Sequence, residues 1–352
     1  MNFELSEDQV ALRDGARALL HGYASPVQVR AVVDADAGAD AVLWQAIVEQ
    51  GWLGVAVGER DGGLGFGSVE VAVLLEEVGR HAAPGPIAPT ILAIDALMRA
   101  GAGDEAARLV AGEVGSVAWS REPDAVRAEE ANGSWRLTGQ PAPTVAAPSA
   151  ALVVVVAATS EGPGLFVVDA GESTRPGREP AMDRTRELGW CRFDGEPARR
   201  LGGEEAVSAL VDRGATYAAA EMLGGASRVL DLSTEYAKDR VQFGRPIGSF
   251  QAVKHRCADM LVDVEGMRST AYWAAWCVSA DDPDASIAAS TAKIWCSDAS
   301  KRVMGSGLQV HGGIGFTWEH DLHFFLKRAK ANAHHFGDAR WHRAKVANLA
   351  GL

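Results

Sequence analysis

The sequence predicts an α+β fold in three consecutive parts: a helical domain over 1–112, a small β domain over 113–205, and a helical bundle over 206–352. Two observations predict it. Apolar residues recur at helical spacing at both ends of the chain, whereas the middle is a series of short β-prone runs. Clusters of Gly, Pro, Ser and Asp separate those runs, as turns separate strands in an all-β unit.

The first part opens on a helix start. Ser6 is placed as an N-cap, Gln9 three residues on as its capping-box partner, and Leu5 and Val10 as a hydrophobic staple. The glycine-rich loop at 58–68 lacks the Gly-Lys-Ser/Thr of a nucleotide P-loop and reads as a turn between helices. The β runs are VAWS, SWRLTG, ALVVVVAA and GLFVVDA. In the third part Met222, Ala226, Val229, Ser233 and Tyr236 form one stripe, and Val253, Cys257, Met260, Val264 and Met267 another, as bundle packing requires.

A chain of 352 residues can bury a large core, and 47% hydrophobic with 23% charged residues is ordinary globular composition. The net charge of −12 argues against nucleic acid or an anionic membrane as main partner, since both require clustered basic charge. The opening residues carry acidic side chains and no apolar signal region, and the apolar run around 150–157 is too short to span a bilayer. Cys191, Cys257, Cys277 and Cys296 form no CxxC pair, so a reduced, cytoplasmic protein is expected.

Two segments carry chemistry. In DRVQFGRPIGSFQAVKHRCADM, residues 239–260, Arg240 and Arg245 could neutralise a phosphate or complement a helix C-terminus. In QVHGGIGFTWEHDL, residues 309–322, Gly312, Gly313 and Gly315 suit either close backbone approach to a dinucleotide or a tight interhelical turn. The spacing is not that of a Rossmann fingerprint, and no strand pattern precedes it. His320, His323, His334 and His335 lack a zinc-site spacing and read as surface or contact residues, so no metal is expected.

Taken together, R-x-x-F-G at 240–244, Gln251, and Q-x-x-G-G-x-G-F at 309–316 resemble the acyl-CoA dehydrogenase family, as does the opening LSEDQVALRDGARALL. The resemblance covers essentially the whole chain. It implies an N-terminal helical domain, a middle β-barrel or sandwich and a C-terminal four-helix bundle. It also implies FAD, an acyl-CoA substrate, an oligomer, and an electron-transfer flavoprotein or similar acceptor. By the same resemblance Arg240, Phe243, Gln309, Gly312 and Gly313 are cofactor-binding, with the 309–316 loop meeting the adenosine part of FAD held mainly by a neighbouring subunit. In the family reaction a carboxylate removes the α-proton of the thioester and the β-hydrogen leaves as hydride to the flavin.

The family's usual base position, a Glu before Gly-Thr, falls here on Phe336, followed by Gly337 and Asp338. The alternative position of a minority of members falls on Gly214, beside Arg213. Asp338 and Glu221 are the substitutes within reach, and neither has the right register. The middle domain departs too: Trp119, Ser120, Glu122 and Pro123 keep part of the family's flavin-flanking pattern, and the rest is replaced. Both losses fit the shorter, base-lacking subunit of actinobacterial α2β2 heterotetramers of steroid and cholesterol breakdown, which this chain resembles. A complete homotetramer using a displaced carboxylate, and a non-catalytic acyl-CoA- or FAD-binding relative, are the alternatives.

Overall fold

The computed structural model describes residues 4–122, 124–171 and 176–352. Six helices come first: α1 (Glu7–Tyr23), α2 (Pro26–Asp34), α3 (Ala41–Glu49), α4 (Ser68–Arg80), α5 (Ile87–Arg99) and α6 (Gly103–Val110). The capping box forms as expected: Gln9 N–H donates to Ser6 Oγ at 3.2 Å and Ser6 N–H to Gln9 Oε1 at 2.9 Å. Asp40 caps α3 by accepting from the backbone N–H of Val42 and Leu43. The 58–68 loop is a turn entering α4, and Gly63 is tight there because a side chain would strike Val57.

Among the described residues eight strands follow: β1 (Gly115–Ala118), β2 (Val126–Ala131), β3 (Ser134–Gly139), β4 (Thr144–Val145), β5 (Leu152–Thr159), β6 (Gly162–Asp169), β7 (Leu188–Gly189) and β8 (Phe193–Gly202). The sheet runs β5-β2-β3-β8-β6 and closes because β6 pairs back onto β5, which makes the expected β unit a barrel. Strand β1 pairs in parallel with the other end of β5. Val153 and Val155 face the barrel interior while Leu152 and Val154 are buried on the opposite face, so β5 is covered on both faces and its sequence is a continuous apolar run. Leu137, Val155, Phe166 and Phe193 fill the interior, and Trp135 packs on Phe166 with ring centroids 5.3 Å apart.

The last part holds α7 (Glu204–Asp239), a hairpin of β9 (Val241–Gln242) and β10 (Arg245–Pro246), α8 (Gln251–Ser279), α9 (Ala285–His311), a 3₁₀ turn at Gly312–Phe316, α10 (Leu322–His334) and α11 (Ala339–Leu349). Two compact units result. One combines the segment through Gln28, Ala72–Ala83 and Ala215–Leu352; the other combines Val29–Val71 and Pro84–Gly214. Helices α2, α4 and α7 each contribute to both.

Within the first unit glycine sets the helix spacing. A Cβ at Gly79 of α4 would overlap Glu221 O of α7, and one at Gly224 would overlap Glu76 O, so the two backbones touch at this crossing. Polar clamps surround it: Arg17 meets buried Glu77 through two hydrogen bonds, at 2.6 and 3.1 Å, while Arg268 Nη1 and Tyr272 Oη both donate to Glu76 at 2.7 Å. On the α7 stripe Met222, Ala226, Val229 and Ser233 are buried as expected; on α8 Met260, Val264 and Met267 are buried, whereas Val253 and Cys257 are half-exposed. No described helix is long and apolar enough to cross a membrane.

Candidate functional site at one end of the helical bundle

The two segments singled out in the sequence meet in space. Helix α7 ends at Asp239, and Arg240 is fixed by its backbone alone: its N–H donates to Tyr236 O at 2.9 Å and its C=O accepts from Ile247 N–H at 2.8 Å across the β9–β10 hairpin. Helix α9 ends at His311, whose ring stacks on Tyr236 with centroids 4.6 Å apart and planes 23° from parallel. The Arg240 turn and the Gly312–Phe316 turn therefore lie at the same end of the bundle.

The geometry also separates the two arginines. Arg245 covers the Phe250 ring at 4.3 Å and so has a structural partner. Arg240 is exposed and makes no side-chain hydrogen bond or ion pair among the described residues; the same holds for Gln309. Phe243, in the left-handed region at φ 54°, is 91% exposed. Gly312, at φ 65°, and Gly313 have nothing within 4 Å of where a Cβ would stand, whereas a Cβ on Gly315 would sit 3.1 Å from His311 Cβ. Gly315 thus serves the turn's own packing, while Gly312 and Gly313 leave backbone open on the outside. A free guanidinium and a free amide are donors that fit a diphosphate-bearing dinucleotide, and the bare Gly312–Gly313 backbone lets it approach closely, although the Gly312 N–H itself donates to Leu308 O.

The expected base position is built differently. Phe336 takes the left-handed conformation at φ 55° and Gly337 continues it at φ 95°. Two buried side chains fasten this turn. Lys293 Nζ donates to Ala333 O at 3.0 Å and to Gly337 O at 2.6 Å. His342 Nε2 donates to Phe336 O at 2.8 Å, with His342 Nδ1 3.0 Å from Ser290 Oγ. Burial pushes the Lys293 ammonium down to about 7, and burial with the nearby Lys293 charge pushes His342 down to about 3, so His342 is neutral at neutral pH.

Both substitute carboxylates are committed elsewhere. Asp338 is the N-cap of α11, accepting from Trp341 N–H at 2.8 Å. Glu221 is 2% exposed, accepts from Asn332 Nδ2 at 2.9 Å, and has Arg328 Nη1 at 3.6 Å; Arg328 also donates to Ala83 O at 2.9 Å. At the alternative position Gly214 stands beside Arg213, which pairs with Asp95 at 3.1 Å.

In the barrel, Ser120 Oγ accepts from Ala142 N–H at 2.6 Å, Trp119 is half-buried just past β1, and Pro123 lies outside the described residues. His323 stacks on Trp318 and His320 lies edge-on to His311, while no group of three or more His, Cys, Asp or Glu is arranged to hold a metal among the described residues. Sequence reasoning missed Tyr236 and His311 as a pair and Lys293 and His342 as fasteners. The available signal was a lysine inside the apolar face of α9; the Tyr236–His311 contact has no local signature.

Comparison with known proteins agrees with this architecture. Residues 6–112 match the family model for the acyl-CoA dehydrogenase N-terminal domain, and residues 202–350 the model for its C-terminal domain. Acyl-CoA dehydrogenase IpdE2 of Mycolicibacterium smegmatis is 34% identical over 338 residues, covering 96% of each chain. Among solved structures, the ChsE4-ChsE5 complex from Mycobacterium tuberculosis superposes with a TM-score of 0.93 at 30% identity, covering 100% of this chain and 99% of that one. A G363A variant of the Tcur3481-Tcur3483 steroid ACAD gives 0.92 at 33% identity, covering 98% of each. With helices, closed barrel and helices in the family's order, and relatives matched end to end, the chain belongs to the acyl-CoA dehydrogenase family of flavin-dependent oxidoreductases.

Proposed function

We propose that this chain is one subunit of a hetero-oligomeric acyl-CoA dehydrogenase that introduces an α,β double bond into a steroid-type acyl-CoA thioester, and that it supplies cofactor contacts rather than the base. The observation that carries this reading is the state of the carboxylates: Phe336 stands where the base is expected, Asp338 caps α11, and Glu221 is buried against Asn332 and Arg328. A general base needs a lone pair aimed at the substrate proton; Glu221 is buried and paired, and Asp338 is turned by its cap toward Trp341 N–H. The relatives that support the heteromeric assignment are the ChsE4-ChsE5 complex and the Tcur3481-Tcur3483 steroid ACAD, each named for two different chains.

Bound FAD supplies the hydride acceptor of the reaction. This chain's part is at the other end of the cofactor. Arg240 would neutralise diphosphate charge, Gln309 would offer amide hydrogen bonds, Gly312 and Gly313 would let main chain approach closely, and Phe243 presents an exposed ring on the Arg240 turn. The partner would house the FAD so completed and provide the carboxylate, with an electron-transfer flavoprotein or similar protein as the onward acceptor. Co-purification with candidate partner dehydrogenase chains, followed by dye reduction with a panel of acyl-CoA thioesters, tests this. Activity only in the mixed complex supports it; activity of the chain alone overturns it.

A further inference from the structure

Helices α7 and α9 meet along a ladder of three contacts. Ser300 Oγ lies 3.7 Å from Met222 Sδ, Gly307 lies against Val229 and 3.3 Å from Ser233 Oγ (both measured from where a Cβ would stand), and His311 stacks on Tyr236. The first two set the spacing of the helices; the third is one turn from the surface where both helices end. His311 is 4% exposed and is held from every side: Nδ1 donates to Gly307 O at 2.8 Å, Tyr236 covers one face, His320 meets it edge-on at 4.6 Å, and Gly315 lies against its Cβ. The His320 ring is oriented in turn, its Nδ1 accepting from Leu322 N–H at 3.2 Å.

Each ring in this stack adjoins a segment of the candidate edge. Tyr236 carries the carbonyl that fixes Arg240 N–H, and His311 is the residue before Gly312. Between the helix ends the stack is a side-chain link whose His311 half is buried, and it bears on the separation of the Arg240 backbone from the Gly312–Gly313 backbone. Contacts to one extended ligand from two segments are strong only when the segments are held at a fixed separation beforehand.

We propose that His311 is a positioning residue: its ring, stacked on Tyr236, sets the Gly312–Gly313 turn against the Arg240 turn so that both grip one dinucleotide. The inference rests on the assignment of Arg240, Gly312 and Gly313 to FAD made above. It goes beyond that assignment by giving the edge an internal part that touches no ligand.

The test uses the complex with its partner chain and reads FAD dissociation by flavin fluorescence, with the melting temperature measured alongside. His311→Ala removes the stack and is expected to weaken FAD about tenfold, the upper range for an aromatic pair. His311→Phe keeps a stacking ring and is expected to stay within about twofold of the parent. Because His311 acts through the segment that Arg240 shares, the His311→Ala and Arg240→Ala effects should be less than additive in the double variant. Tyr236→Leu attacks the stack from the other helix and stands in if His311→Ala fails to fold. Parent-like FAD affinity in His311→Ala while Arg240→Ala is weakened overturns the positioning role and leaves the edge assignment intact. Parent-like affinity in Arg240→Ala overturns both. An affinity of His311→Phe as poor as that of His311→Ala also overturns the role.

Discussion

Lys293 Nζ donates to Gly337 O at 2.6 Å and so pins the turn that holds Phe336, the position at which the family resemblance leads one to expect the carboxylate. The lysine is fully buried and its acceptors are main-chain carbonyls, Ala333 O being the other. An ammonium there closes the end of α10 as a cap would. Lys293→Met removes both hydrogen bonds and leaves two buried acceptors, and is expected to cost about 2–4 kcal/mol in denaturant unfolding. A stability equal to the parent would show that the turn does not depend on this side chain.

The role of Asp338 separates cleanly by substitution. Asn is as good an N-cap as Asp, so Asp338→Asn should change stability by less than about 0.5 kcal/mol, while Asp338→Ala should cost about 1 kcal/mol. Turnover of the mixed complex should be unchanged by Asp338→Asn. If Asp338 were the base, the same substitution would lower turnover by about a hundredfold or more.

Glu221 is held by a second buried charge. Its partners Arg328 and Asn332 are 3% and 1% exposed. Glu221→Gln keeps the shape and leaves the Arg328 guanidinium without its carboxylate, so a loss of about 3 kcal/mol is expected. Calorimetric melting of Glu221→Gln beside Arg328→Met and the double variant measures the coupling, and additive effects would refute the pairing.

Acid should weaken the folded chain through His311 and His342. Burial lowers both below the ordinary 6.5, His342 to about 3. From pH 6.5 downward the unfolded chain therefore binds protons at these rings that the folded chain refuses, so stability falls with pH down to the depressed folded values and is unaffected by them above 6.5. The groups facing His311 are Tyr236, His320 and the Gly307 carbonyl; those facing His342 are Lys293, Lys345, Asp338 and the Phe336 carbonyl. Denaturant midpoints at about pH 7 and about pH 5 should converge in His311→Phe relative to the parent. Lys293 acts in a different window. Its folded value of about 7 lies below 10.5, so its contribution increases as pH rises from 7 toward 10.5, and Lys293→Met should flatten that slope.

Much of the fold was readable because it is local. The Ser6–Gln9 capping box, the continuous apolar run of β5 and the Met222–Ser233 stripe depend on residues within a few positions of one another, and each formed as the pattern required. What was not readable is set by contacts across long stretches of chain. Nothing near Gly79 or Gly224 announces that each backbone is met by the other helix, and nothing near Lys293 announces carbonyls 40 and 44 residues away. The candidate site divides the same way. Its motifs identified the two turns, but only the fold separated Arg240, left free, from Arg245, covered by Phe250, and showed that Tyr236 and His311 join the turns.

Flavin stoichiometry decides whether this chain holds FAD by itself. The chain purified alone, and the chain co-expressed with a partner acyl-CoA dehydrogenase subunit, are compared for FAD bound per polypeptide and for reduction of that FAD by acyl-CoA. Little or no FAD is expected on the chain alone, and in the mixed assembly one reducible FAD for each pair of unlike chains. A yellow, active assembly of this chain alone, with one FAD on every copy, would contradict this expectation.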